Sequence, residues 1–293
     1  MRRSKPQILI LGAGGMLGTD LRAVLSGHSI LSPTSAELDI RDAGAVLEAA
    51  SAADIVINAA AYTAVDDAET HEDEANAINA AGAENAARAA AAAGAAFVQL
   101  STDYVFDGTA IEPYREDTPR TPMSAYGRTK AEGEERVIAA HPSPYIVRTA
   151  WLYGAAGRNF PRTMLSLAAE RDTVSVVTDQ VGQPTWSADL AGLIATLLDV
   201  RPEPGVYHGT NSGKTTWFGF ARAVFERAGL DPERVQPTDS STFTHPAPRP
   251  AYSVLGHGAW TLAALDTPRS WEDALDRAFR EGVFDPELER IRA

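Results

Sequence analysis

The stretch Gln7-Ile-Leu-Ile-Leu11, running straight into Gly12-Ala-Gly-Gly15-Met-Leu-Gly18, decides how the rest of the chain is read. A short, continuously apolar run reads as a strand buried on both faces. The glycines after it allow a tight turn and close approach of a ligand to the backbone, and the helix they open presents unpaired amides and its positive dipole end to a pyrophosphate. Gly12, Gly14, Gly15, Met16 and Leu17 are therefore candidate dinucleotide contacts, with a purely structural turn as the alternative.

Outward from this start, short apolar runs alternate with helical patterns. Strands are expected near Gln7–Leu11, Ser29–Leu31, Asp54–Asn58, Ala96–Leu100, Tyr145–Arg148 and Val174–Val177, with helices near Met16–Leu25, Ala43–Ala50, Glu72–Ala93, Ala125–Ala139 and Phe160–Glu170. Alternation of this kind predicts an α/β fold, a Rossmann-type doubly wound parallel sheet covered on both faces. From about residue 179 the rhythm changes: helices near Ser187–Leu198, Trp217–Ala228 and Trp271–Glu281 are separated by Pro- and Gly-rich loops such as Thr244-His-Pro-Ala-Pro-Arg-Pro250. The expected division is a dinucleotide-binding domain over 1–178 and a smaller substrate-binding lobe over 179–293, sharing a cleft, with the chain free to cross between them.

Composition narrows the function. A net charge of −13 argues against binding nucleic acid or an anionic membrane, so any phosphate must be held locally. The chain has no cysteine, which removes disulfides, thiol nucleophiles and thiolate metal sites and suits a reducing cytoplasm. Met1-Arg-Arg-Ser-Lys5 looks like the basic start of a signal peptide, but the apolar run after it stops at Leu11, and a buried strand explains it better. No run approaches the length needed to span a bilayer.

Chemistry is offered by Ser124-Ala-Tyr126-Gly-Arg-Thr-Lys130, where a tyrosine and a lysine one helical turn apart share a face. The Lys130 ammonium favours the Tyr126 phenolate, and this is expected to pull the hydroxyl toward neutrality, as a general acid or base requires. Asn58-Ala59-Ala60-Ala61 ends the third strand with small side chains that leave room for a cofactor, although tight strand–helix packing selects alanine too. Ser101 and Thr102 end the fourth strand at the same edge, where a hydroxyl aimed at the reacting oxygen completes a carbonyl-polarising site. After the second strand no acid occurs before Glu37 and no arginine before Arg41, which leaves NADPH and NADH both open. Ser32, Thr34 and Ser35 offer hydroxyls to a 2′-phosphate and Asp39-Ile40 flank the adenine; capping of the next helix is the other reading of all five.

Taken together, the glycine loop, the Ser-Thr pair and Tyr-x-x-x-Lys resemble the extended short-chain dehydrogenases/reductases. Finer motifs resemble the dTDP-4-dehydrorhamnose reductase family: Asn58-Ala-Ala-Ala-Tyr-Thr-Ala-Val-Asp-Asp-Ala-Glu69, Ser101-Thr-Asp-Tyr-Val-Phe-Asp-Gly108, Arg148-Thr-Ala-Trp-Leu-Tyr-Gly154, Asp179-Gln-Val-Gly-Gln-Pro-Thr185 and Arg249-Pro-Ala-Tyr-Ser-Val-Leu255. The resemblance implies reduction by NADPH or NADH of a 4-keto-6-deoxy sugar carried on dTDP. It assigns Thr102 and Tyr126 to the keto oxygen, Tyr126 as its proton donor, and Lys130 to the nicotinamide ribose. It places Thr102, Asp103, Trp151, Asp179, Gln180 and Arg249 around the dTDP-sugar; core packing is the alternative for Trp151.

Two departures qualify that picture. The related 4,6-dehydratases carry an Asp-Glu pair after the threonine, whereas here Asp103 is followed by Tyr104, which disfavours elimination of water. Some rhamnose-pathway reductases hold Mg²⁺ between subunits; Asp20 falls at one such position but Ala188 at another, so no metal site is expected. A monomer or homodimer is the expected state. The competing functions are a reductase or epimerase of another nucleotide-sugar, and a non-catalytic NADP-binding regulatory subunit like that of methionine adenosyltransferase.

Overall fold

The computed structural model describes residues 5–292, so most of the basic N-terminal start weighed above lies outside the described residues. Five strands follow the expected order: β1 (Gln7–Leu11), β2 (Ser29–Leu31), β3 (Ile55–Asn58), β4 (Ala96–Thr102) and β5 (Tyr145–Thr149). Residues of β1 alternate between the two sheet faces. Ile8 and Ile10 join Leu21, Ile57, Val147, Leu190 and Ile194 in one core, while Leu9 and Leu11 join Val46, Val56, Ala86 and Phe97 in the other. Both faces must be covered for such strands to be stable. The helices α1 (Met16–Val24) and α2 (Ala43–Ala50) lie on opposite faces accordingly.

The expected helix over 72–93 is interrupted. It runs as α3 (Glu72–Asn76), a wide π-type turn over Ala77–Gly82, and α4 (Ala83–Ala93). Asn79 accounts for the widening: its buried side chain accepts from the Tyr62 amide at 2.9 Å and donates to the Tyr62 carbonyl and to Thr129 Oγ1, both at 3.1 Å. Such turns gather at functional sites, and this one holds the loop that follows β3.

The next helices are α5 (Ala125–Ala140) and α6 (Phe160–Glu170). Val174–Val177 forms a strand, β6, as expected, but outside the main sheet. The sixth strand of that sheet is β7 (Gly205–His208), reached through α7 (Ser187–Val200), which packs on α1. The parallel order is β7-β5-β4-β3-β1-β2. β6 pairs instead with β8 (Val235–Thr238), and α6 and β6 pack in the second core, so the chain enters the second lobe ahead of the expected boundary at 178, crosses back to add α7 and β7 to the first, and then completes the second. The second lobe is a separate core of Tyr153, Leu165, Phe220, Phe225, Trp271 and Phe284, formed with α8 (Trp217–Arg227), α10 (Trp271–Arg280) and α11 (Asp285–Arg292); α9 (Gly258–Leu262) instead sends Trp260 into the main sheet's core. No helix among the described residues is long and apolar enough to cross a membrane.

Candidate active site

A cleft of about 970 Å³ opens at the carboxyl ends of the sheet strands, between the two lobes. At its first-lobe end, Gly12 adopts φ +78°, and a Cβ there would meet the backbone of Ala59 and Ala60 at 2.5–2.7 Å. Only glycine allows the loops after β1 and β3 to approach this closely. Gly15 opens α1 without any side-chain cap, leaving its first amides to the cleft, and a Cβ on Gly15 would meet nothing nearer than the Gly12 carbonyl at 3.3 Å. Gly12, Gly15, Met16, Leu17, Ala59 and Ala61 form this wall.

Thr102, Tyr126 and Lys130, the residues expected from sequence to react, line the middle. Ser124 caps α5 by accepting from the Gly127 amide at 3.1 Å, and Gly127 lies so close to the Tyr104 carbonyl that a Cβ would overlap it. That approach delivers Tyr126 to the turn after β4. Thr102 Oγ1 lies beside Tyr126, accepts from the Tyr104 amide at 3.2 Å and donates to Asp103 Oδ1 at 2.9 Å. Tyr104 meets the Tyr126 ring edge-on at 5.6 Å. Ser101, by contrast, does not reach the reacting position: its hydroxyl donates to buried Glu134 at 2.6 Å.

One electrostatic expectation is overturned. Burial pushes Tyr126 up to about 12, Thr102 opposing this and Asp103 adding to it, rather than Lys130 drawing it toward neutrality. Lys130 spends its nearest contact elsewhere, donating to the Leu100 carbonyl at 2.6 Å, and burial pulls its ammonium down to about 8 against the charge of Glu134. Removal from water outweighs the pairing for both groups. Tyr126 thus keeps its proton at every working pH. Burial likewise raises Asp103 to about 6.

At the second-lobe end, Trp151 holds an unusual φ of +46° and stacks on Trp217, ring centroids 3.5 Å apart and 8° from parallel. Phe160 lies 4.5 Å from Trp217, and a Cβ on Gly182 would overlap the Trp151 indole. Trp151 therefore both lines the cleft and packs on the second core. Arg249 pairs with Asp66 at 2.7 Å, joining the loop after β3 to the segment before residue 250. Burial raises the Asp66 carboxyl, but the Ala247 amide and Arg249 outweigh it and hold the group below its ordinary range.

Of the residues singled out from sequence, Gly14, Asp39, Ile40, Asn58, Ala60 and Asp179 do not line the cleft. Asp39 forms an exposed bidentate pair with Arg41, and Ile40 is core. Asn58 is fully buried, bonded to Gln99 at 2.8 Å and to the Ala60 amide at 3.1 Å, so it braces the loop from behind. Asp179 accepts from Ser240, while its neighbour Gln180 does line the cleft. Sequence reasoning passed over Trp217, Phe160, His245 and Asp66. Asp66 lies within the Asn58–Glu69 motif, whereas nothing local marks Trp217, since its stacking partner is 66 positions earlier. Asp20 accepts from Ser187, and no cluster of metal-ligating side chains occurs among the described residues.

The family model described as RmlD substrate binding domain matches residues 6–283. The dTDP-4-dehydrorhamnose reductase of Streptomyces griseus is 46% identical over 94% of this chain and 93% of its own. The dTDP-4-keto-6-deoxy-D-glucose reductase of Streptomyces niveus is 44% identical over 92% of this chain and 96% of its own. Among solved structures, the dTDP-4-dehydrorhamnose reductase of Bacillus anthracis in complex with NADP superposes with a TM-score of 0.91 at 40% identity, covering 94% of this chain and 99% of that one. With a matching family model and relatives of this identity over nearly its whole length, the chain belongs to the dTDP-4-dehydrorhamnose reductase family of oxidoreductases.

Proposed function

We propose that the protein uses NADPH, with NADH as the alternative, to reduce the 4-keto group of dTDP-4-dehydro-6-deoxy-L-mannose to dTDP-L-rhamnose, working in the cytoplasm as a monomer or homodimer. One observation carries the reading: Thr102, Tyr126 and Lys130 meet at the centre of a single cleft that has an open glycine loop at one end and Trp151 with Arg249 at the other. The residues fit a dinucleotide, because the Gly12–Gly15 turn presents amides with no side chain in the way and Ala59 and Ala61 leave room beside it. Gly12, Gly15, Met16 and Leu17 hold the pyrophosphate side, and Lys130 holds the nicotinamide ribose. When bound, the reduced nicotinamide supplies a hydride to the carbonyl carbon.

The chain's own part is to hold the sugar and deliver a proton. Tyr126 donates its phenolic proton to the keto oxygen, and Thr102 hydrogen-bonds the same oxygen. The second lobe, built from residues on both sides of position 178, holds the nucleotide-sugar through Trp151, Gln180 and Arg249 while β7 and α7 complete the first. Elimination of water is disfavoured: Tyr104 stands where a second carboxylate is needed, and burial raises its hydroxyl above the ordinary range.

The test is coupled turnover of dTDP-glucose through a 4,6-dehydratase and a 3,5-epimerase, with NADPH and NADH compared and products weighed by mass spectrometry. One reduced cofactor consumed per sugar, with a gain of two hydrogens, is expected. A water-loss product formed from dTDP-glucose and NAD⁺ by this protein alone would overturn the reading. The S. niveus relative supports a second substrate, dTDP-4-keto-6-deoxy-D-glucose, which the same assay without the epimerase measures.

A further inference from the structure

One buried charge behind the cleft takes no part in the proposed proton and hydride transfer, and its role deepens the reductase reading on which it rests. Glu134 stands one helical turn after Lys130 on α5; the two are 1% and 4% exposed. Its Oε1 accepts from Ser101 Oγ at 2.6 Å and Arg148 Nε at 2.8 Å, and its Oε2 accepts from Arg148 Nη2 at 2.7 Å and Arg120 Nη1 at 3.1 Å. Ser101 lies between Leu100, whose carbonyl takes the Lys130 ammonium, and Thr102, which stands beside Tyr126. A single carboxylate therefore grips the strand end that carries two of the site's contacts.

The charge balance points the same way. Arg120 is shared with Glu135 at 3.1 Å, so Arg120 and Arg148 are matched by Glu134 and Glu135, and Lys130 is left with only a neutral carbonyl as its nearest partner. Without the Glu134 charge, one ammonium and two guanidiniums would share a buried space with a single exposed carboxylate. An arginine does not release its proton, so the lysine must. The other buried and half-buried titratable groups near Lys130 on the surrounding elements include Tyr126 on α5, Asp103 and Tyr104 after β4, Arg148 on β5 and His208 on β7, while Arg128, Glu132, Glu135 and Arg136 of α5 pair at its more exposed side with Glu72, Arg136, Arg120 and Glu132 respectively. His208 is kept neutral by burial, down to about 3. Among them all, Glu134 is the one whose charge supports Lys130 appreciably.

We propose that Glu134 is a positioning residue for the reductase chemistry: fixed by Ser101, Arg120 and Arg148, it locks the end of β4 onto α5 and keeps Lys130 an ammonium at working pH. The chain contains only three lysines, Lys5, Lys130 and Lys214, so a pH titration of ¹³C-labelled lysine Cε signals reads Lys130 directly, its signal identified by its loss in Lys130→Met. This readout needs no substrate. The expected midpoint is about 8 in the natural protein. Glu134→Gln, which keeps the shape, should lower it by about one unit or more, so that NADPH affinity at pH 8 falls about fivefold or more while at pH 6 it stays near that of the natural protein. Ser101→Ala should leave the midpoint in place and lower only turnover. Arg120→Gln removes a partly exposed cation from the other side of Glu134 and should raise the midpoint; it decides the matter if Glu134→Gln does not fold. A Lys130 midpoint unmoved in whichever of these two charge variants folds overturns the proposal. Midpoints that move as expected in a protein that reduces no keto-sugar would instead fault the proposed function.

Discussion

Replacing Tyr126 by Phe isolates the proposed proton donor, because the change deletes one oxygen and leaves a ring that is already buried edge-on against Tyr104. The fold should persist, with Thr102 still bonded to Asp103. Loss of a positioned general acid costs about 10²–10⁴-fold in rate, or about 2.7–5.5 kcal/mol of barrier. NADPH affinity should stay within about threefold, since the lost hydroxyl is a proton donor while the pyrophosphate amides and Lys130 are untouched. The pH profile sharpens the test. In the proposed mechanism Tyr126 and Lys130 both act in their protonated forms, so each contributes a limb on which activity falls as pH rises through its pKa. With Tyr126 near 12 and Lys130 near 8, the first limb met belongs to the lysine. We predict that kcat/KM falls about tenfold per pH unit above that point, and that Tyr126→Phe lowers the whole profile without moving this limb. Oxidation of NADPH followed by absorbance, with cofactor binding followed by fluorescence, measures both. Turnover of Tyr126→Phe within about threefold of the natural protein, or a limb that disappears with the hydroxyl, would refute the reasoning.

Other substitutions separate the parts of the cleft. Gly15→Val should abolish NADPH binding while leaving the thermal midpoint nearly unchanged, because the added branches enter the cleft and not the backbone. Gly12→Ala should instead destabilise the protein by about 1–3 kcal/mol or more in denaturant titrations, through its φ of +78° and its contact with Ala60. Gly182→Ala forces the Trp151 indole off its seat, so KM for the keto-sugar should rise about tenfold with NADPH affinity intact; an unchanged KM would remove Trp151 from the sugar site. Arg249→Met breaks the pair with Asp66 and should raise KM more than it lowers kcat, a split that steady-state kinetics reads directly.

Much of this architecture is legible in sequence because its signals are local. Ile8 to Leu11 and Gly12 to Gly18 are contiguous, so period, turn chemistry and helix start are read from one window, and Tyr126 and Lys130 lie a single helical turn apart. What escaped depends on distance. Val174–Val177 has the composition of a sheet strand, but composition does not specify its neighbour, and pairing with Val235–Thr238 is settled by packing in the second lobe. The break over Ala77–Gly82 follows from Asn79 reaching the Tyr62 backbone, a contact invisible to helical propensity, which favours this alanine-rich run. The same limit explains the electrostatic correction. Spacing alone puts an ammonium near a phenol and predicts a lowered pKa, yet the sign depends on burial and on the Leu100 carbonyl, neither of which a four-residue interval contains. A motif therefore states which groups are delivered to one place, while the state in which they arrive is set by the residues around them. In this protein Glu134 is the clearest case, since its own motif spacing marks only a helical face and its meaning comes from Ser101, Arg120 and Arg148.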